Sequence, residues 1–135
     1  MSGATAPAAG RLALVAFTGR TDLWWLRGLK PGFRHCFLVI EDGGQWLLYD
    51  PMAHATALQG LPLAPGTNPF GFLVAQGYTV VPMRIRTAPR RPAPVGPFTC
   101  VEAVKRALGI HARRVCTPWR LFRHLTDTQK FLDTA

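Results

Sequence analysis

The chain has 135 residues, of which 48% are hydrophobic and 17% charged, the proportions of one soluble globular domain. No apolar stretch approaches the ~20 residues of a membrane span, and the apolar run at 12–17 lacks the basic flank of a secretory leader. Sixteen Lys and Arg stand against seven Asp and Glu, and the net charge of +9 predicts contact with polyanions through a basic surface, although no known nucleic-acid-binding motif accompanies it.

Residues 1–10, mostly Ala, Gly, Ser, Thr and Pro, read as a flexible N-terminal tail and leave 11–135 as a single domain. "RLALVAFTG" predicts a short strand that ends at Gly19. "TDLWWLRGLK" offers Thr21 or Asp22 as a cap and an apolar group at Leu23, Trp24, Leu26 and Leu29, so a short helix or turn is expected. Burial of both Trp24 and Trp25 is expected, with one of them lining the cleft as the alternative. In "PGFRHCFLVIEDGGQWLLYDP" two β-rich runs flank Gly43 and Gly44, the pattern of a hairpin with a two-residue turn.

"NPFGFLVAQG" predicts one or two helical turns closed by Gly77, and "YTVVPMRIRT" a further strand that Pro82 pushes towards an edge or a bulge. The four prolines of 88–98 describe an extended, semi-rigid connector. A helix follows over 99 to about 108, stopped by Gly109. A second runs from about 118 to 125, with Thr117 as its cap and Pro118 as its first residue. These elements predict an α+β fold, a small antiparallel sheet packed against helices.

Cys36, Cys100 and Cys116 cannot all pair within one chain, and their spacing matches no zinc pattern. They read as free thiols, with no metal and no cofactor expected. Thr99 followed three residues later by Glu102 is a capping-box pattern that starts the helix at Thr99. Cys100 then lies in the first turn, where unpaired amides and the positive end of the helix dipole favour a thiolate. The same helix can bury Val101, Val104 and Leu108, and Ala103 and Ala107 let it lie close to a sheet. A cysteine on such a helix can also do no more than pack.

The hairpin supplies the other half of the site. With Gly43 and Gly44 as the turn, facing residues have numbers that sum to 87, so Phe37 faces Asp50 and His35 faces Met52. Alternation then puts His35, Phe37 and Val39 on one face with Leu48 and Asp50, and makes His35 and Asp50 diagonal neighbours. Cys36 points to the opposite face and is assigned to packing. Cys116 lies between the last two helices with no base beside it. The expected catalytic residues are therefore Cys100 as nucleophile, His35 as general base and acid, and Asp50 as the group that orients the imidazole. The backbone N–H of Cys100 is a candidate oxyanion donor. His54 is an alternative third member, and His111 and His124 are expected at the surface.

This order, a His strand with its hairpin partner in "RHCFLVIEDGGQWLLYDP" and a Cys-led helix in "FTCVEAVKRALG", resembles the circularly permuted branch of the NlpC/P60 papain-like superfamily. "TPWRLFRHL" is similar to the Thr-Pro-led helix that often follows in bacterial proteins of that branch, and together these pieces cover roughly a third of the chain. The branch also includes lecithin:retinol acyltransferase-like proteins, in which Asn tends to stand where this chain has Thr99. The resemblance implies a cysteine hydrolase of peptidase or amidase type, acting on an amide that is often in a peptidoglycan stem peptide. Two other functions stay open: a non-catalytic structural or binding protein of the same fold, within a phage-related assembly, and a lipid acyltransferase. The chain is expected to be cytoplasmic as synthesised, and to reach a cell wall by lysis, specialised secretion or carriage on a phage-like particle.

Overall fold

The computed structural model describes residues 10–20, 32–52, 55–64, 66–86 and 99–134, with side chains to 128. The stretches read as a turn or helix at 21–30 and as a connector at 88–98 lie outside the described residues, as do Trp24, Trp25, His54 and nearly all of the N-terminal tail. Eight elements appear among the described residues. They are β1 Leu12–Thr18, β2 His35–Asp42, β3 Gln45–Pro51, β4 Thr56–Leu61, α1 Pro69–Ala75, β5 Thr79–Arg84, α2 Cys100–Leu108 and α3 Pro118–Thr134. The five strands form one antiparallel sheet in the order β4-β3-β2-β1-β5.

The hairpin has the expected register. Leu38 faces Tyr49, Val39 faces Leu48 and Asp42 faces Gln45. Gly43 and Gly44 both take positive φ, 59° and 87°, as a two-residue turn matched to strand twist requires. Pro82 lies on β5, an edge strand, where its missing N–H breaks no inner ladder. The strand β4 is an addition to the sequence reading. Its run "TALQGL" is mostly exposed, with Leu58 73% exposed, and carries no alternation that would mark a half-buried strand.

β1 and β2 are inner strands and apolar on both faces, because both faces of the sheet are covered. One face holds Ala13, Val15, Phe17, Cys36, Leu38, Val81 and Met83 beneath Val101, Val104 and Leu108 of α2 and Leu121 and Leu125 of α3. The other holds Leu14, Ala16, Phe37, Val39 and Trp46, with Leu73 of α1 against them. Each fully buried Val or Leu stabilises by about 1.5–3 kcal/mol, so the three such residues of α2 suffice to dock a helix of nine residues.

α2 begins and ends as its sequence dictates. The Thr99 hydroxyl accepts from the Glu102 N–H at 3.4 Å, and Gly109 closes the helix with a left-handed φ of 76°. The reciprocal half of the capping box is replaced, because the Glu102 carboxylate turns to Lys105 at 2.9 Å and Arg106 at 3.2 Å. α3 runs nine residues beyond the expected end at 125. The polar "TDTQ" that follows does not stop it, since the hydroxyls of Thr126 and Thr128 bond back to the carbonyls of Phe122 and His124 at 2.9 and 2.8 Å.

Candidate active site

His35 is the first residue of β2, and Asp50 lies next to the last position of β3. The hairpin register sets them diagonally on one face, and Nε2–H of His35 donates to Oδ1 of Asp50 at 2.6 Å. Both side chains are only about a fifth exposed, 20% and 23%, so the bond is shielded from competing water. The ring of His35 lies 6.4 Å from that of Phe37, its neighbour on the same face.

Cys100 reaches this pair from a direction that the sequence reading did not anticipate. α2 covers the face of Cys36 and Leu38, not the face of Phe37 and Val39. His35 and Cys100 each open their element, and they meet at the rim of the sheet, where the end of β2 no longer separates the two faces. Cys36 packs in the core, as expected, and also lies near Cys100. It is wholly buried in the cluster against which Cys100 packs, and its proximity lowers the pKa of the Cys100 thiol.

Cys36, burial and His35 therefore act on the Cys100 thiol. The hydrogen bond from the Cys36 thiol is the strongest influence and favours the thiolate; burial opposes it. The hydrogen bond and the charge of His35 then add to the first effect, and the pKa falls to about 5. Burial alone would lower that of His35, but its hydrogen bonds to Asp50 and Cys100 and the charges of both raise it to about 9. Burial pushes the Cys36 thiol up, and the neighbouring Cys100 pushes it further, so Cys36 keeps its proton. At neutral pH the site holds a thiolate, an imidazolium and a neutral thiol side by side.

Because Asp50 engages Nε2, the nitrogen left to exchange a proton with the sulfur is Nδ1. The first intrahelical bond of α2 runs from the Ala103 N–H to the Thr99 carbonyl at 3.0 Å, so the amides of Cys100 and Val101 precede the ladder. A negatively charged oxygen held beside the Cys100 sulfur would face them. Among the described residues, no group of three or more His, Cys, Asp or Glu side chains is placed to hold a metal ion.

Beside the site, Phe33 stacks a tilted ring on Phe17 at 5.6 Å and meets Phe122 at 4.9 Å and Trp119 at 4.8 Å. This aromatic group ties the chain just before His35 to β1 and to α3. Arg113, Arg114, Arg120 and Arg123 are exposed on α3 and the segment leading to it, and an Arg120 Nη donates to the Arg114 carbonyl at 3.2 Å. Cys116 is exposed in the same segment, where its thiol donates to the Arg113 carbonyl at 3.3 Å. His111 and His124, expected at the surface, are half-buried. Burial first, and then the charge of Arg86, lowers the pKa of His124.

No protein-family model matches this chain, and neither a curated protein nor a solved structure does. The described residues contain no helix long and apolar enough to cross a membrane.

Proposed function

We propose that this protein is a cysteine hydrolase of the circularly permuted NlpC/P60 papain-like type, cleaving an amide through Cys100, His35 and Asp50. The observation that carries the reading is the geometry of the site: Nε2 of His35 at the head of β2 lies 2.6 Å from Oδ1 of Asp50, and Cys100 opens α2 beside them, with its pKa lowered to about 5 and that of His35 raised to about 9. Such a pair is ready for nucleophilic attack without first removing a proton.

In this reading the Cys100 thiolate attacks the carbonyl carbon, and the amides at the head of α2 receive the oxyanion. The imidazolium of His35 then gives its proton to the departing amine as the C–N bond breaks. Water, deprotonated by the now neutral His35, releases the acyl group and restores the ion pair. Asp50 holds the ring in the orientation that presents Nδ1 to the sulfur. A stem peptide of peptidoglycan is the favoured substrate, on the family resemblance alone.

A second reading, a binding protein of the same architecture, is favoured by the exposed arginines of α3 and its approach, which lie apart from Cys100 in sequence and suit an anionic polymer. The deciding assay compares the wild type with Cys100→Ser on purified wall fragments and on model esters. Product from the wild type and none from the variant supports the hydrolase. Equal product from both proteins means that the cysteine is structural and the binding reading takes its place. Transfer of a lipid acyl group in preference to amide cleavage redirects the assignment to an acyltransferase.

A further inference from the structure

Cys36 and Cys100 form an unequal pair of thiols. Cys36 projects from β2 onto the face that α2 covers, is 0% exposed, and belongs to the same packed cluster as Val101 and Val104. Cys100 leads the helix that lies on that cluster, is partly exposed, and packs against the same cluster. Both thiols are free.

We propose that Cys36 and Cys100 are a modification site, closing into a reversible disulfide when Cys100 meets a hydroperoxide. In the first step the Cys100 thiolate attacks the terminal peroxide oxygen, and the O–O bond breaks. The departing alkoxide takes the proton of the His35 imidazolium and leaves as the alcohol, or as water when the oxidant is hydrogen peroxide. Cys100 is now a sulfenic acid. In the second step the Cys36 sulfur attacks the Cys100 sulfur, the S–O bond breaks, and the hydroxide released takes the Cys36 proton to leave as water. Two thiols are oxidised and one hydroperoxide is reduced.

The division of labour follows from the surroundings of the two sulfurs. The partly exposed, ionised thiol meets the oxidant, and the buried, protonated one is shielded from it yet packed in the same cluster as the product. Closure removes the nucleophile and keeps Cys100 from the irreversible sulfinic state. Cys116 has no such neighbour among the described residues and takes no part. The pairing does not rest on the hydrolase reading, because it needs only the two sulfurs and the imidazole beside them.

The test treats the full chain at low concentration and near-neutral pH with a small excess of hydrogen peroxide, caps free thiols, and maps the peptides by mass. The expected product is a Cys36–Cys100 linked peptide pair lighter by two hydrogens, opened again by dithiothreitol, and equally abundant in Cys116→Ser. In Cys36→Ala the same treatment drives Cys100 to sulfinic and sulfonic acid, which dithiothreitol does not restore. Wild-type Cys100 found as sulfinic acid beside an unmodified Cys36, or linked to Cys116 instead, overturns the proposal. If Cys36→Ala does not fold, the wild-type map decides alone. Linkage is read by mass and not by turnover, so a protein that forms the bond but hydrolyses nothing refutes the hydrolase reading only.

Discussion

Nε2 of His35 lies 2.6 Å from Oδ1 of Asp50, on the two strands of one hairpin whose turn is a pair of glycines. The contact depends on register. One residue of slip would turn Asp50 to the opposite face, and the imidazolium would lose both its acceptor and its nearest negative charge apart from Cys100. The hairpin is thus a structural device for holding one ring nitrogen, and the other is left to face the sulfur.

Replacing that carboxylate by an amide separates orientation from charge. The amide oxygen of the Asp50→Asn protein would still accept from Nε2–H but would no longer stabilise the imidazolium by charge, so the pKa of His35 should fall from about 9. Under the hydrolase reading, the alkaline limb of the kcat/KM profile then moves to lower pH while the acid limb stays near 5. Titration of the His35 ring by NMR checks the shift independently of turnover. An unmoved titration would show that Asp50 does not support the charged ring.

The Cys100 thiol should alkylate at pH values where ordinary thiols do not. A thiolate persists above the folded pKa and is lost as pH falls through it, so labelling by iodoacetamide should rise around pH 5. A free thiol becomes reactive near ~8.5. Removing the strongest acidifying contact in Cys36→Ala should move the rise to higher pH, and His35→Ala should move it in the same direction. Mass mapping of label on Cys100, Cys36 and Cys116 across the pH series is the measurement. Faster labelling of Cys116 at pH 6 would contradict the assigned ion pair.

The helix α2 carries a buried cation whose two bonds should have unequal worth. Lys105 is 3% exposed, with its ammonium 2.9 Å from Glu102 and 2.8 Å from the Ala112 carbonyl. Lys105→Met leaves the Ala112 carbonyl without this donor but keeps Glu102 paired with Arg106, a loss of about 1–3 kcal/mol. Glu102→Leu strands the ammonium instead, which costs about 3–5 kcal/mol. Urea unfolding of the two variants checks the order, and a Lys105→Met protein less stable than Glu102→Leu would refute it.

Binding to anionic polymers should depend on the arginines near α3 and not on the site. Arg113→Ala combined with Arg114→Ala should elute from an immobilised polyanion at lower salt than the wild type, and Cys100→Ser should elute unchanged. The salt dependence of retention is the readout. If both proteins elute with the wild type, the net charge of +9 acts diffusely and this segment is no binding surface.

The sequence by itself determined those parts of the molecule that rest on local chemistry. Two adjacent glycines define the turn, the turn defines the register, and the register brings His35 to Asp50. Thr99 and Gly109 bound α2 because a cap and a left-handed stop act within one helical turn. Pro82 assigns β5 to an edge because it lacks an N–H. No comparable signal marks β4, which is held by pairing with β3 and not by a buried face of its own, nor the length of α3, whose polar second half carries no stop.

The face onto which α2 docks was decided only by the tertiary structure. "HCFLVI" is apolar at every position after its histidine, so alternation separates Cys36 and Leu38 from Phe37 and Val39 without ranking them. An inner strand covered on both sides satisfies the hydrophobic effect equally with α2 on either face. The choice lies in how α1, α2 and α3 share the two faces, a matter of side-chain volumes summed over the whole sheet. That choice made Cys36, 64 positions away in sequence, a packed neighbour of Cys100 that lowers the pKa of its thiol.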